Sequence, residues 1–130
     1  MALPIPEDIR RFVLTSIPSV PHLEALLLLR ADPAQAWTSA SLAERLYVPE
    51  KAAHALLVDL CEARMITPHE RPGGTFEYFY APGSPHLKST IDQLADLYAR
   101  HLLDITYLIH SKLDRKAQQF ADAFTWRKDA

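Results

Sequence analysis

The stretch VPEKAAHALLVDLCEARMI, residues Val48 to Ile66, decides how this chain is read. Pro49 suits the opening of a helix, because its fixed φ is already helical and its missing N–H is not needed there. Ala53, Leu56, Leu57 and Leu60 then recur at helical spacing and predict one buried side. Met65 and Ile66 leave the helical pattern and open a run that reads as a strand. The outer side of the same helix carries Glu50, Lys51, His54, Asp59 and Glu62, a face that is acidic on balance.

Working outward, the strand continues into MITPHERPGGTFEYFYAP. Pro72, Gly73 and Gly74 supply a turn, and the aromatic run Phe76 to Tyr80 favours a returning strand. On the other side lies AWTSASLAERLYVP. It reads as a short strand at AWT, a helix with Leu42, Ala43 and Leu46 inward, and a tight turn at YVP. Thr38 is one candidate cap for that helix, and Ser41 with Glu44 forms a competing capping box one turn later. Upstream, VPHLEALLLLRAD places leucines on nearly every face of a helix that Pro21 opens and Asp32-Pro33 stops, so it is expected at the centre of the core. Before it, Pro4 and Pro6 precede a helix with Ile9, Phe12, Val13 and Ile17 on one side. Glu7 and Asp8 suit its first turn, and Pro18 ends it.

After Pro82-Gly83, Ser84 and Pro85 look like the cap and first position of one long helix reaching about Lys116. Its apolar stripe is Leu87, Ile91, Leu94, Tyr98, Leu102, Ile105, Ile109 and Leu113. The steps of three and four lie nearer an eleven-residue repeat than a heptad, so a straight helix is expected. At 1.5 Å per residue such a helix would reach about 45 Å, too long to lie wholly on so small a domain. An apolar stripe left in water favours a partner, so Ile91, Leu94, Tyr98, Leu102, Ile105 and Ile109 are the expected homodimer contacts, with packing on the first helix as the alternative. The end of the chain carries Phe120, Phe124 and Trp126, suited to locking a dimer or docking on a partner protein. Three parts follow: an N-terminal helix at 1–18, a central domain at 19–83, and the long helix with its aromatic tail at 84–130.

The order helix, short strand, helix, turn, helix, β-hairpin resembles the winged helix-turn-helix superfamily over roughly Val20 to Pro82. TSASLAERL is similar to the first motif helix, and LCEARMI to the exit into the wing. Arg64 stands where that superfamily usually has glycine, so either Arg64 takes a left-handed backbone or the helix ends differently. The added terminal helices look like those of the MarR and PadR bacterial regulators, which dimerise through them. The resemblance implies a mainly α fold with a small β-hairpin wing, and a transcriptional regulator binding DNA as a homodimer. It places Lys51 and His54 on the helix that enters the major groove, Arg45 at the end of the helix before it, and His69 and Arg71 beside the wing tip.

Composition pulls against that implication. The chain has 130 residues, formal net charge -2 and one cysteine. Its isoelectric point near 6.3 falls well below the value of about 9 common among nucleic-acid-binding domains. From Tyr47 to Tyr80 only Lys51, Arg64 and Arg71 face Glu50, Asp59, Glu62, Glu70 and Glu77. The competing reading is therefore a winged helix that binds a protein and not DNA. A small-molecule sensor is compatible with the DNA reading, but no ligand residues can be named for it.

The pairs His101/Asp104 and His110/Asp114 have metal-ligand spacing but no third partner, so no metal is expected. No phosphate loop or nucleophile motif is present, so neither catalysis nor a cofactor is expected. Cys61 reads as a buried structural thiol. The start MALPIPEDIRRF is unlike a signal peptide, and LEALLLLR falls short of the roughly 20 apolar residues that cross a bilayer. A cytoplasmic protein is expected.

Overall fold

Side-chain caps and prolines set where the helices begin. The computed structural model describes residues 5–111. Helix α1 (Glu7–Ser16) carries Glu7 and Asp8 in its first turn and buries Ile9 and Val13, with Ile17 buried just beyond its end. The chain then bends by 107° into α2 (Val20–Ala31), where the Ser19 hydroxyl accepts the His22 N–H at 3.3 Å. Leu23, Ala25, Leu26 and Leu29 of α2 are buried and Leu27 and Leu28 half-buried, as the all-round leucine pattern predicts.

Helix α3 (Ser39–Leu46) starts on the Thr38 capping box. Thr38 Oγ1 accepts the Ser41 N–H at 3.0 Å, and Ser41 Oγ accepts the Thr38 N–H at 2.9 Å. Of the two competing boxes, the earlier one forms. Tyr47 ends α3 in the left-handed region at φ 58, and the Val48 N–H reaches back to the Ala43 carbonyl at 3.1 Å. Helix α4 (Glu50–Glu62) follows at once and buries Ala53, Leu56, Leu57 and Leu60, the four expected.

The exit from α4 settles the question posed by Arg64. Its φ is 61. The Met65 N–H donates to the Leu60 carbonyl and the Arg64 N–H to the Cys61 carbonyl, both at 3.0 Å. That crossed pair is the Schellman motif, which glycine usually serves. Arginine accepts the left-handed backbone here, and Met65 and Ile66 turn directly into the sheet.

Strands β1 (Ile66–Glu70) and β2 (Phe76–Tyr80) pair antiparallel, with Ile66 opposite Tyr80 and Glu70 opposite Phe76. Gly73 and Gly74 take φ of 99 and 86 in the connecting loop, conformations that strain any other residue. Trp37 adds a third, one-residue strand: its N–H donates to the Tyr78 carbonyl at 3.0 Å, and the Tyr78 N–H returns to the Trp37 carbonyl at 2.7 Å.

Helix α5 (Pro85–Arg100) is capped by Ser84, as expected, but it stops well short of the predicted end. His101 leaves helical geometry at φ -132 and ψ 49, and a further helical stretch occupies 102–111. No proline or glycine marks this break. Burial explains it: the restart brings Ile105, Leu108 and Ile109 into the chain's own core, where a single straight rod would have carried them off a domain of this size. Among the described residues no single helix is long and apolar enough to cross a membrane.

Candidate nucleic-acid interface

The core pattern of α3 and α4 leaves one surface of α4 in water. Lys51, Ala52, His54, Ala55, Val58, Asp59 and Glu62 all lie on it. Lys51, in the first helical turns, makes no ion pair among the described residues. One turn on, His54 places Nδ1 at 3.3 Å from the Ser39 hydroxyl at the start of α3. His54 and Glu50 share a shallow cleft with Thr75, Phe76 and Tyr78 of the hairpin, so the start of α4 and the β2 side of the wing form one continuous surface.

The other three predicted contacts are placed differently. Arg45 borders a separate depression with Glu24, Leu27, Leu28, Leu46 and Tyr98. His69 leans on Phe79 with ring centroids 4.9 Å apart and stands opposite Glu77 in the hairpin. Arg71, at the wing tip, holds Nη1 3.5 Å from Glu77 Oε1, so its charge is partly met before any partner arrives. Lys51 and His54 are thus grouped, His69 and Arg71 of the wing share Glu77 as an acidic neighbour, and Arg45 stands apart.

No protein-family model and no curated protein sequence matches this chain. Solved structures do resemble it. MepR, a transcription regulator of the Staphylococcus aureus multidrug efflux pump MepA, is 10% identical, with 95% of this chain matched to 87% of that one at a TM-score of 0.55. The adhesin competence repressor AdcR of Streptococcus pyogenes is 14% identical, with 88% of this chain matched to 83% of that one at a TM-score of 0.52. The fold is the winged helix of these structures. A MepR F27L mutant bound to an oligodeoxyribonucleotide matches 91% of this chain and 88% of its own length, at 11% identity and a TM-score of 0.54.

In this winged helix α3 and α4 are the helix-turn-helix and β1–β2 the wing. A clasp not anticipated from the sequence holds α4 in place. His22 Nε2 lies 2.7 Å from Asp59 Oδ2, and its Nδ1 lies 2.6 Å from Ser19 Oγ. The residue types are those of a hydrolase triad, but the ring is used in the opposite sense, with Nε2 towards the acid and Nδ1 towards the serine. Ser19 is also the α2 cap, so the arrangement is an interhelical pin. Neither the cap nor the clasp was read from the sequence, and His22 and Asp59 are 37 residues apart.

The six predicted dimer contacts divide sharply. Ile91, Leu94, Ile105 and Ile109 are fully buried within the chain's own core, and Tyr98 is half-buried. Leu102 keeps 50% of its surface in water and is joined by the exposed Leu103 and Tyr107. Phe120, Phe124 and Trp126 lie outside the described residues, as do Leu113 and Asp114. His101 Nδ1 is 3.7 Å from Asp104 Oδ2. No cluster of three metal-binding side chains forms among the described residues.

Cys61 is half-buried, more open than its leucine-rich setting suggests. Burial pushes its thiol up from the ordinary range, and the neighbouring Glu62 carboxylate adds to the shift.

Proposed function

We propose that this protein is a DNA-binding transcriptional regulator that acts as a homodimer and catalyses nothing. The observation that carries the reading is the pairing of Lys51 and His54 on the exposed start of α4 with the adjoining wing. It is supported by a likeness to regulators one of which is bound to an oligodeoxyribonucleotide. Lys51, His54 and Arg71 would meet phosphates or base edges, with Arg45 and His69 as flanking contacts. So few cations bind weakly alone, since log K falls by about 0.9 per phosphate contact for each decade of salt. Two subunits double the contacts, and linkage turns the second encounter into a local one. The exposed Leu102, Leu103 and Tyr107 offer the surface for joining two copies.

Titration with mixed genomic fragments at two salt concentrations tests the proposal. Binding is expected near about 50 mM salt, falling steeply as salt rises, and weaker for a Lys51→Ala/Arg71→Ala variant. Absence of binding at low salt, or an unaffected variant, would sink the DNA reading. The acidic balance of the α4 face, with Glu50, Asp59 and Glu62, favours the second reading, a protein partner on the same surface or on the aromatic tail at Phe120, Phe124 and Trp126.

A further inference from the structure

The outward surface of α4 is a row of small apolar side chains with charge at each end. Ala52 and Ala55 are exposed, and Val58 keeps 37% of its surface in water. Lys51 and His54 stand at the start of this row, and Asp59 and Glu62 at its end, with the Asp59 carboxylate already engaged by His22 at 2.7 Å. The helix sequence EKAAHALLVDLCE contains no arginine, asparagine, glutamine, serine or threonine.

Direct reading of the major groove depends on arginine or lysine for guanine and on asparagine or glutamine for adenine. Beyond Lys51, α4 has no side chain of that kind, and of its acids, which could accept only from cytosine, Asp59 is already engaged by His22. Alanine and valine can use one feature of a base edge there, the thymine C5 methyl. Ala52, Ala55 and Val58 follow one another three residues apart and so cover about 9 Å of helix. At about 3.4 Å per step that length spans two or three base pairs.

Resting on the DNA reading above, we propose that α4 recognises thymine methyl groups through Ala52, Ala55 and Val58, so that the protein selects A·T-rich duplex. Lys51 supplies grip without choice of sequence. Removing the methyls while keeping every hydrogen-bonding edge should weaken binding, and adding them to G·C pairs should strengthen it.

The test uses the full chain and four short duplexes at one low salt concentration: alternating d(TA), alternating d(UA), alternating d(GC), and d(GC) with 5-methylcytosine. The d(UA) duplex is expected to bind about fourfold more weakly than d(TA) for each methyl covered, the equivalent of burying one methylene. The methylated d(GC) duplex should bind more tightly than plain d(GC). Val58→Ala, at a surface position, should narrow the d(TA) to d(UA) ratio, whereas Lys51→Ala should weaken all four duplexes alike and keep the ratio. Equal binding of d(TA) and d(UA) overturns methyl recognition and leaves DNA binding standing. Binding of none of the four overturns the DNA reading and this proposal with it.

Discussion

Gly83 is seated against the backbone of Arg64. Its N–H donates to the Arg64 carbonyl at 2.9 Å, and a Cβ at position 83 would stand 3.3 Å from the Arg64 Cβ. The contact fixes the end of the wing to the exit of α4, at a residue already held at φ 61. Relief of left-handed strain in Arg64→Gly should outweigh the added freedom of the unfolded chain and stabilise the fold by up to about 1 kcal/mol. Gly83→Ala should cost about 1 kcal/mol through crowding, and less in the Arg64→Gly background, where the opposing Cβ is gone. A double-mutant cycle by urea denaturation measures this, and strictly additive effects would refute the contact.

Asp59 should affect stability and DNA affinity in opposite directions. Asp59→Ala leaves the largely buried His22 Nε2 unpaired and should lower unfolding free energy by about 1–2 kcal/mol. The same change removes an acid from the α4 face, so DNA affinity at low salt should rise. Stability unchanged in denaturant would show that the 2.7 Å contact does not pin α4 to α2.

Acid should release the tie between α2 and α5. Asp92 accepts from Lys88 Nζ and Arg30 Nε, each at 3.0 Å, and these hydrogen bonds, that from Lys88 first, hold its carboxyl below the usual carboxylate range. A depressed folded-state value means that the stabilisation is complete above the unfolded value of about 3.9 and is lost as pH falls through the lower folded one. The side chains are partly exposed, so the contribution should stay below about 1 kcal/mol. Asp92→Asn should lower the melting temperature at neutral pH and reduce its fall below pH 4, about the ordinary carboxylate value.

Cys61 should alkylate slowly at neutral pH. Its raised thiol pKa keeps the reactive thiolate scarce, so iodoacetamide should modify it more slowly than a free cysteine. Glu62→Gln, at an exposed position, should speed the reaction by removing the nearby negative charge.

Self-association should depend on the 102–111 stretch. Light scattering at micromolar concentration should report about twice the 14.7 kDa chain mass. Leu103→Asp, at an exposed position, should return the protein to a monomer without unfolding it. A wild-type monomer would refute the dimer.

The parts legible in the sequence were those written in periodicity and local chemistry. Ala53, Leu56, Leu57 and Leu60 announced the inner face of α4, and the Pro-Gly-Gly turn announced the wing. Arg64 was recognisable as an anomaly, although its sequence could not choose between a strained backbone and a different ending. Neither the break at His101 nor the His22–Asp59 clasp carries a local signal, since the first is driven by burial of Ile105 and Ile109 and the second joins distant helices. For the same reason the sequence placed Arg71 beside the wing tip without showing that Glu77 stands at its side.

The paired hydrogen bonds between Trp37 and Tyr78 have a mechanical meaning for the hairpin. Trp37 is the residue immediately before the Thr38 cap, so the hairpin and the start of α3 share a joint one residue long. A push on the wing cannot be absorbed by a slack loop on that side and is delivered to the base of the helix-turn-helix. The wing therefore works as a lever fixed to the pair of helices it flanks, not as a flap hung beside them.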